Sequence, residues 1–393
     1  MGRSTGAAAS PRRGPAAASA NLNDGMARSL RHLLTVVSAL VALAFPAAAH
    51  SKTTWVINGA GFGHGLGMSA YGAYGYGKHD VGYRKILGHY YRDVKVKRAK
   101  RSPTVRVLLA VDSGDVSFSR ATRACGKRLR PTRTYRAHRN GSAITLATGS
   151  GKRVAGCGKR LQAKGRGRVK IGGLGTYRGA LNATTGAGGA INVVNQVGID
   201  AYAQGVLPGE IYPSWPKETL KAFAVAARSV GLATDVGGDG FDLYADTRTQ
   251  VYKGASAETK RTNAAVRATR DEVVTYRGAV VQAFYHSSSG GRTESRFLGG
   301  PKVPWLHSVR DPYDRLSPLH RWRIRYSQAE IDARLGGYAG GSVRRIVVLS
   351  RRDSPRIARA KIVGSRGSSR ISGDDLAAAL GLYSSWASFT KRR

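Results

Sequence analysis

Residues 205–229 constrain this chain more than any other stretch. Gly205-Val206-Leu207-Pro208-Gly209-Glu210-Ile211-Tyr212-Pro213-Ser214-Trp215-Pro216 sets three prolines and two glycines around one carboxylate. The pattern then changes. Leu220, Phe223, Ala224, Ala227 and Val230 recur at helical spacing, which predicts a helix from Ser214 to about Thr234 with one apolar stripe. Pro208 and Pro213 stiffen the segment before it, and Ile211, Tyr212 and Trp215 keep water from Glu210. A poorly hydrated carboxyl has a raised pKa and can give up a proton near neutral pH, so Glu210 is the candidate general acid.

The 393 residues carry 64 Lys and Arg against 23 Asp and Glu, a formal net charge of +41. Such an excess suits nucleic acid, an anionic membrane or an anionic wall polymer. Export is what separates these. Met26 opens a basic run, an apolar stretch follows from Leu33 to Phe45, and Pro46-Ala47-Ala48-Ala49 supplies small residues. That order reads as a Sec-type signal peptide with cleavage expected after Ala49, an uncleaved anchor being the alternative, and translation is expected to start at Met26, with residues 1–25 an extension. A secreted, wall-associated protein has no nucleic acid to bind, so anionic wall polymers are the expected partners. With 41% hydrophobic residues the chain has material for a buried core. Cys125 and Cys157 are the only cysteines, and in an exported chain they pair most simply as one disulfide. No His or carboxylate stands beside them at zinc-ligand spacing, so neither metal nor cofactor is expected.

The chain reads as α+β in four parts. Residues 1–49 are the extension and signal, and 50–103 form a block rich in Gly, His and Tyr that packs on the catalytic core. Residues 104–190 are β-rich, and 191–393 hold the catalytic region. Short alternating runs mark strands at 105–111, 143–146, 169–171, 177–181 and 191–194, with Asn140-Gly141 as a hairpin turn. The basic residues here, such as Lys127, Arg128, Arg130, Lys159 and Arg160, read as a solvated face, with polymer binding as the alternative. Further elements are helices at 82–91, 257–270 and within 371–382, the last starting near Ser372 or Gly373, and strands at 272–276, 280–285, 345–349 and 357–363.

Residues 202–229 resemble the signature of the sporulation stage II protein D family, which includes the LytB-type amidase enhancers. The resemblance continues through Asp246-Thr247-Arg248-Thr249-Gln250-Val251-Tyr252-Lys253-Gly254 and Tyr285-His286-Ser287-Ser288-Ser289-Gly290-Gly291-Arg292-Thr293-Glu294. It also covers Gly63-His64-Gly65-Leu66-Gly67-Met68-Ser69 and Leu380-Gly381-Leu382. It implies a peptidoglycan lytic transglycosylase that cuts the MurNAc–GlcNAc bond of glycan strands and leaves 1,6-anhydro-MurNAc, with Glu210 at the catalytic position. The Gly-His-Gly block lies at the amino end instead of near the carboxyl end, a permuted order whose ends should meet in the fold. Ala70 and Phe223 stand where the family often has Gln, and the Cys/His zinc site of some clostridial members has no counterpart.

Most glycosidases need two carboxylates. A lytic transglycosylase manages with one, because the sugar's own C6 hydroxyl replaces water. Lys221 and Arg228 are candidates for the lactyl carboxylate of MurNAc, or else a solvated helix face. Gln250, His286, Ser289 and His64 are candidates for sugar contacts, with turn or core duties as the plainer reading. Tyr202, Tyr212 and Trp215 either stack on sugars or pack in the core. Glu210 itself has two plainer roles, capping the helix or pairing with Arg228. Three functions stay in play: the transglycosylase, a non-catalytic wall-binding enhancer of an N-acetylmuramoyl-L-alanine amidase, and a hydrolytic muramidase using Asp246 or Glu294 as second carboxylate.

Overall fold

A computed structural model describes residues 53–99 and 103–392. The signal segment and its cleavage after Ala49 lie outside the described residues. Seven α-helices occur among them: α1 (Ala70–Lys78), α2 (Tyr83–Tyr90), α3 (Ile199–Glu210), α4 (Lys217–Ala233), α5 (Lys260–Ala268), α6 (Gln328–Ala339) and α7 (Gly373–Leu380). With several sheets they make an α+β fold. None of these helices is long and apolar enough to cross a membrane.

The largest sheet has ten strands drawn almost wholly from residues 104–198. Its order runs Leu243–Tyr244, Thr104–Asp112, Ile191–Gly198, Gly175–Thr185, Arg160–Ile171, Val116–Ala124, Tyr135–Asn140, Ala143–Thr148 and Arg153–Gly156, with Lys127–Arg128 added on Val116–Ala124. The expected hairpin is present. Asn140 faces Ala143, and Gly141 takes the left-handed conformation that the two-residue turn needs. Cys125 and Cys157 form a disulfide with Cα atoms 5.2 Å apart, tying the end of strand Val116–Ala124 to the turn between Arg153–Gly156 and Arg160–Ile171.

Helix α4 lies at the centre and is buried almost all round, from Thr219 to Gly231. The single stripe expected from spacing is therefore only part of its apolar surface. Ala222, Ala224, Ala226 and Gly231 fill the remaining sides because they are small enough for neighbours to approach. A Cβ on Gly231 would stand 2.7 Å from the Tyr202 ring. Residues 205–210, read from sequence as a stiffened loop, instead complete α3. Proline keeps a helical φ, and Pro208 in the last turn forfeits one hydrogen bond only. The expected strand 280–285 is likewise shorter, reduced to Ala279–Val280 and Tyr285–His286.

The Gly-rich block joins the same core through Leu66, Met68, Ile86, Leu87 and Tyr90. Strand Met68–Ser69 pairs in parallel with Tyr285–His286. A second, smaller core gathers Trp55, Ile57, Trp322, Ile331, Leu335, Ile357 and Leu380. There, strand Thr54–Gly59 sits between Trp322–Ser327 and Ala387–Arg392, antiparallel to both. The two ends of the described chain thus meet as neighbouring strands.

Replacing Cys125 and Cys157 together by Ser opens a cross-link spanning 32 residues. The expected loss is about 3–4 kcal/mol of stability, read as a lower denaturant midpoint with a steeper slope, because the unlinked denatured chain exposes more surface.

Candidate active site

Two glycines one turn apart on α3 position the acid. A Cβ at Gly205 would lie 2.5 Å from the Tyr252 ring, and one at Gly209 would lie 2.5 Å from the Val251 carbonyl. Without those side chains, segment 251–254 lies flat on the helix and Lys253 N–H donates to the Gly205 carbonyl at 3.0 Å. This seats Glu210, the last residue of α3, so that Val251 N–H donates to its Oε1 at 2.6 Å. Burial pushes the Glu210 carboxyl above the usual carboxylate range, and the Val251 N–H and the Lys253 cation partly counter it.

Glu210 lies in a wall shared by two open cavities of about 570 and 550 Å³. Phe62, Tyr285, His286 and Ser287 line both, and among the described residues no other Asp or Glu lines either. At one end Trp215 stacks on Tyr74, with ring centroids 4.9 Å apart, and lies 5.6 Å from Tyr212, which is 61% exposed. At the other, Phe297 is partly exposed beside His64. The result is one long cleft, aromatic at both ends, with a single carboxyl at its waist.

The other expected residues divide into two groups. Gln250, His286 and His64 reach the cleft. Gln250 is buried, accepts from the Tyr202 hydroxyl at 2.9 Å and donates to the Tyr285 hydroxyl at 2.7 Å. The ring of Phe223 packs on Tyr285 at 5.2 Å, filling with carbon the place of the amide expected there. His286 is buried and donates through Nδ1 to the Leu66 carbonyl at 3.1 Å, which leaves Nε2 a bare acceptor with no partner. Burial, with His64 and Arg356 adding to it, holds His286 neutral. His64 accepts the Leu66 N–H at Nδ1, so its Nε2 carries the proton. Surrounding protein and then Arg356 hold its pKa down, though its edge opens to solvent and moderates the effect.

Lys221, Arg228 and Ser289 are placed elsewhere. Lys221 pairs with Glu218 at 2.6 Å and lies over Tyr83, away from the cleft lining. Arg228 is fully buried, with Nε on Asp200 at 2.6 Å and Nη2 on the Val266 carbonyl at 2.7 Å. It therefore pairs with Asp200 and not with Glu210, and it locks α3 to α4 and α5. The Ser289 hydroxyl donates to Asp311 at 2.7 Å inside the core. Neither second carboxylate suggested for a muramidase meets Glu210 across the cleft. Asp246 is exposed on Arg248 at 2.7 Å, and Glu294 is buried on Ser354.

Sequence reasoning missed Asp311 and Asp314, which no motif marks. Asp314 is fully buried and collects five donors. Ser69 Oγ and Ser289 N–H give to Oδ1 at 3.0 and 2.7 Å. Ser288 Oγ, Gly290 N–H and His320 Nδ1 give to Oδ2 at 2.9, 2.8 and 2.8 Å. One side chain thereby fixes the loop 287–291 against the Gly-rich block, and with it His286 and His64. Asp311 accepts from Tyr90 and Ser289, and burial followed by the Asp314 charge pushes it up to about 7.

Residues 187–276 match the SpoIID family, described as stage II sporulation protein. Over 151 residues the chain is 35% identical to an uncharacterized protein of Brachyspira hyodysenteriae, covering 37% of this chain and 41% of that one. It is 36% identical over 132 residues to the amidase enhancer of Bacillus subtilis, covering 33% and 18% respectively. With the stage II sporulation protein D of Bacillus subtilis it shares 29% over 209 residues, covering 49% and 60%. The matched segments thus span less than two thirds of each relative.

Asp314→Ala leaves four buried donors and the partly exposed His320 Nδ1 without this acceptor. A loss of roughly 3–5 kcal/mol in unfolding free energy is expected, and Asp314→Asn should lose less. Asp311 imposes a pH dependence. Its folded pKa lies above the unfolded value, so its contribution is complete below about pH 4 and disappears as pH rises through about 7. Asp311→Asn should flatten melting temperature against pH in that window.

Proposed function

We propose, from the match of residues 187–276 to the SpoIID family and the likeness to its relatives, that this chain is a SpoIID/LytB-type protein and an exported peptidoglycan lytic transglycosylase held on anionic wall polymers by its positive charge. The observation that carries this reading is the lone carboxyl at the waist of a two-sided cleft. Hydrolysis by paired carboxylates would need a second one across the bond, at about 5–10 Å, and the cleft lining offers none.

The chemistry follows from the placement of Glu210. Val251 N–H occupies Oε1, so the transferable proton sits on Oε2. The raised pKa keeps that proton available near neutral pH. Glu210 protonates the oxygen between MurNAc and GlcNAc, and the C1–O bond breaks. The C6 hydroxyl of the same MurNAc then attacks C1, and its proton passes to the Glu210 carboxylate, which restores the acid and closes the 1,6-anhydro ring. Water takes no part, which suits walls built from Phe62, Ile211, Trp215 and Phe223. The exposed rings of Phe62 and Tyr212 offer flat surfaces to pyranose faces. Gln250 holds Tyr285 in line, and the Leu66 carbonyl holds the His286 ring in the cleft wall.

Likeness to the Bacillus subtilis amidase enhancer supports a second reading, a wall-bound partner that accelerates an amidase without cutting glycan. Products distinguish the two. Purified protein incubated with peptide-free glycan strands should release fragments ending in anhydro-MurNAc, seen by mass spectrometry. Glu210→Gln should lower that release by about 10²–10⁴-fold with the fold unchanged by circular dichroism. Cleavage by this variant would remove the assignment, and a wild type that makes no anhydro ends yet speeds an amidase would establish the second reading. The pH profile should fall on the alkaline side of the Glu210 pKa, because the reacting form is the protonated one.

A further inference from the structure

We propose that the ten-stranded sheet carries a separate binding site for a phosphodiester polymer, built on Arg120, Arg166, Arg168 and Arg178. This deepens the wall-associated reading above, which leaves the anchoring surface unspecified. Residues 104–190 hold 18 Lys and Arg against two Asp and no Glu, whereas residues 191–393 hold 31 against 18. The charge is thus concentrated on the part of the chain that contributes nothing to the lining of the Glu210 cleft.

Within that region the four guanidinium groups line one pocket of about 380 Å³, together with Thr122, Pro131 and Gly167. The backbone is bent to make it. The pairing of Arg160–Ile171 slips between Lys164 and Arg168 on the Gly175–Thr185 side and on either side of Gly165 on the Val116–Ala124 side, irregularities of the kind that re-aim side chains. Across from it Arg120 sits at φ +61, a conformation that side chains of its kind seldom adopt. Among the described residues, only one carboxylate reaches the pocket's arginines. Glu258 takes Arg178 in a two-pronged pair, Nε at 2.6 Å and Nη2 at 2.7 Å, and meets Arg168 at 3.5 Å. It orients two forks and leaves Arg120 and Arg166, both exposed, with no ion pair among the described residues.

A second observation points the same way. On these strands cations stand directly opposite cations: Arg123 faces both Arg128 and Lys164, and Arg168 faces Arg178. Like charges in register cost stability, and an anion laid across them removes that cost. Strands are about 4.8 Å apart, so Arg128, Arg123 and Lys164 form a row with cations at that spacing. A pocket of converging forks with a cationic row on the same strands fits a chain that repeats a tetrahedral anion. Guanidinium forks match phosphate oxygens two at a time. The occupant is therefore a polyol-phosphate chain, with one phosphate in the pocket and its neighbours along the row.

The test measures binding and cleavage separately on the full mature protein. Poly(glycerol phosphate), polygalacturonate and duplex DNA serve as probes by fluorescence anisotropy over a series of salt concentrations. Variants are Arg166→Ser, and Arg166→Ser with Arg120→Asn, since Asn tolerates a left-handed backbone. Arg344→Ser with Arg345→Ser removes two exposed charges from another sheet as a control. The double pocket variant should bind poly(glycerol phosphate) roughly tenfold or more weakly, with a shallower salt slope, and should cleave glycan as the wild type does. Equal loss in the control would reduce the effect to net charge and overturn the site. Tighter binding of polygalacturonate would overturn the phosphodiester class, and tighter binding of DNA would overturn the polyol-phosphate chain as the occupant. Loss of cleavage in Glu210→Gln with polymer binding retained keeps the two sites distinct, and failure of wild-type cleavage alone would leave this proposal standing.

Discussion

The cleft depends on a buried carboxylate that never touches it. Asp314 receives hydrogen bonds from Ser69, Ser288, Ser289, Gly290 and His320, groups drawn from the Gly-rich block, the 287–291 loop and the segment before the second core. These pieces are far apart along the chain and share no hydrophobic stripe that would align them. A buried anion without partners is costly, so these segments come together around it or leave it unpaired. Asp311 sits beside it and accepts from Tyr90 and Ser289, which extends the same network to α2.

On the opposite wall, shape does what charge does around Asp314. Gly205 and Gly209 let the backbone of segment 251–254 rest on α3, and the amide that this brings near is the one Glu210 receives. The same helix is held from behind by Arg228 on Asp200. Acid and support thus belong to one rigid element, and the residues facing it, Tyr285, His286 and Ser287, belong to the loop that Asp314 organises. The two walls have separate supports and are joined through Gln250, which accepts from Tyr202 on α3 and donates to Tyr285.

Much of this was legible in the chain. The period of residues 220–230 announced α4, Asn140-Gly141 announced its hairpin, and the proline-flanked acid announced the cleft. What stayed hidden has a common physical cause. Lys221 and Arg228 are alike in a helical projection, and only the tertiary fold sends one to Glu218 and the other into the core against Asp200. Pro208 reads as a breaker, because the tolerance of the last helical turn is invisible until the turn is known. Helix α1 contains three glycines that argue against a helix, yet each lies against a neighbour where any side chain would collide: Gly72 at Asp311, Gly75 at Tyr313 and Gly77 at Thr219. Asp314 itself sits in no motif, since its importance comes from what converges on it.

The strand Thr54–Gly59 has a bearing on how such a molecule comes into being. Both of its neighbours come from far along the chain, and the bond from the Ser388 hydroxyl to the Asn58 carbonyl spans 330 positions. Trp55 and Ile57 consequently stay exposed to solvent until nearly the whole polypeptide has emerged. Closing so long a loop is slow but adds little entropy beyond that of a shorter one, so the delay is one of timing more than of stability. Maturation therefore ends with a clasp: the small core is the last part to assemble, and an interrupted or truncated chain would display an unsatisfied strand for quality-control proteases to seize.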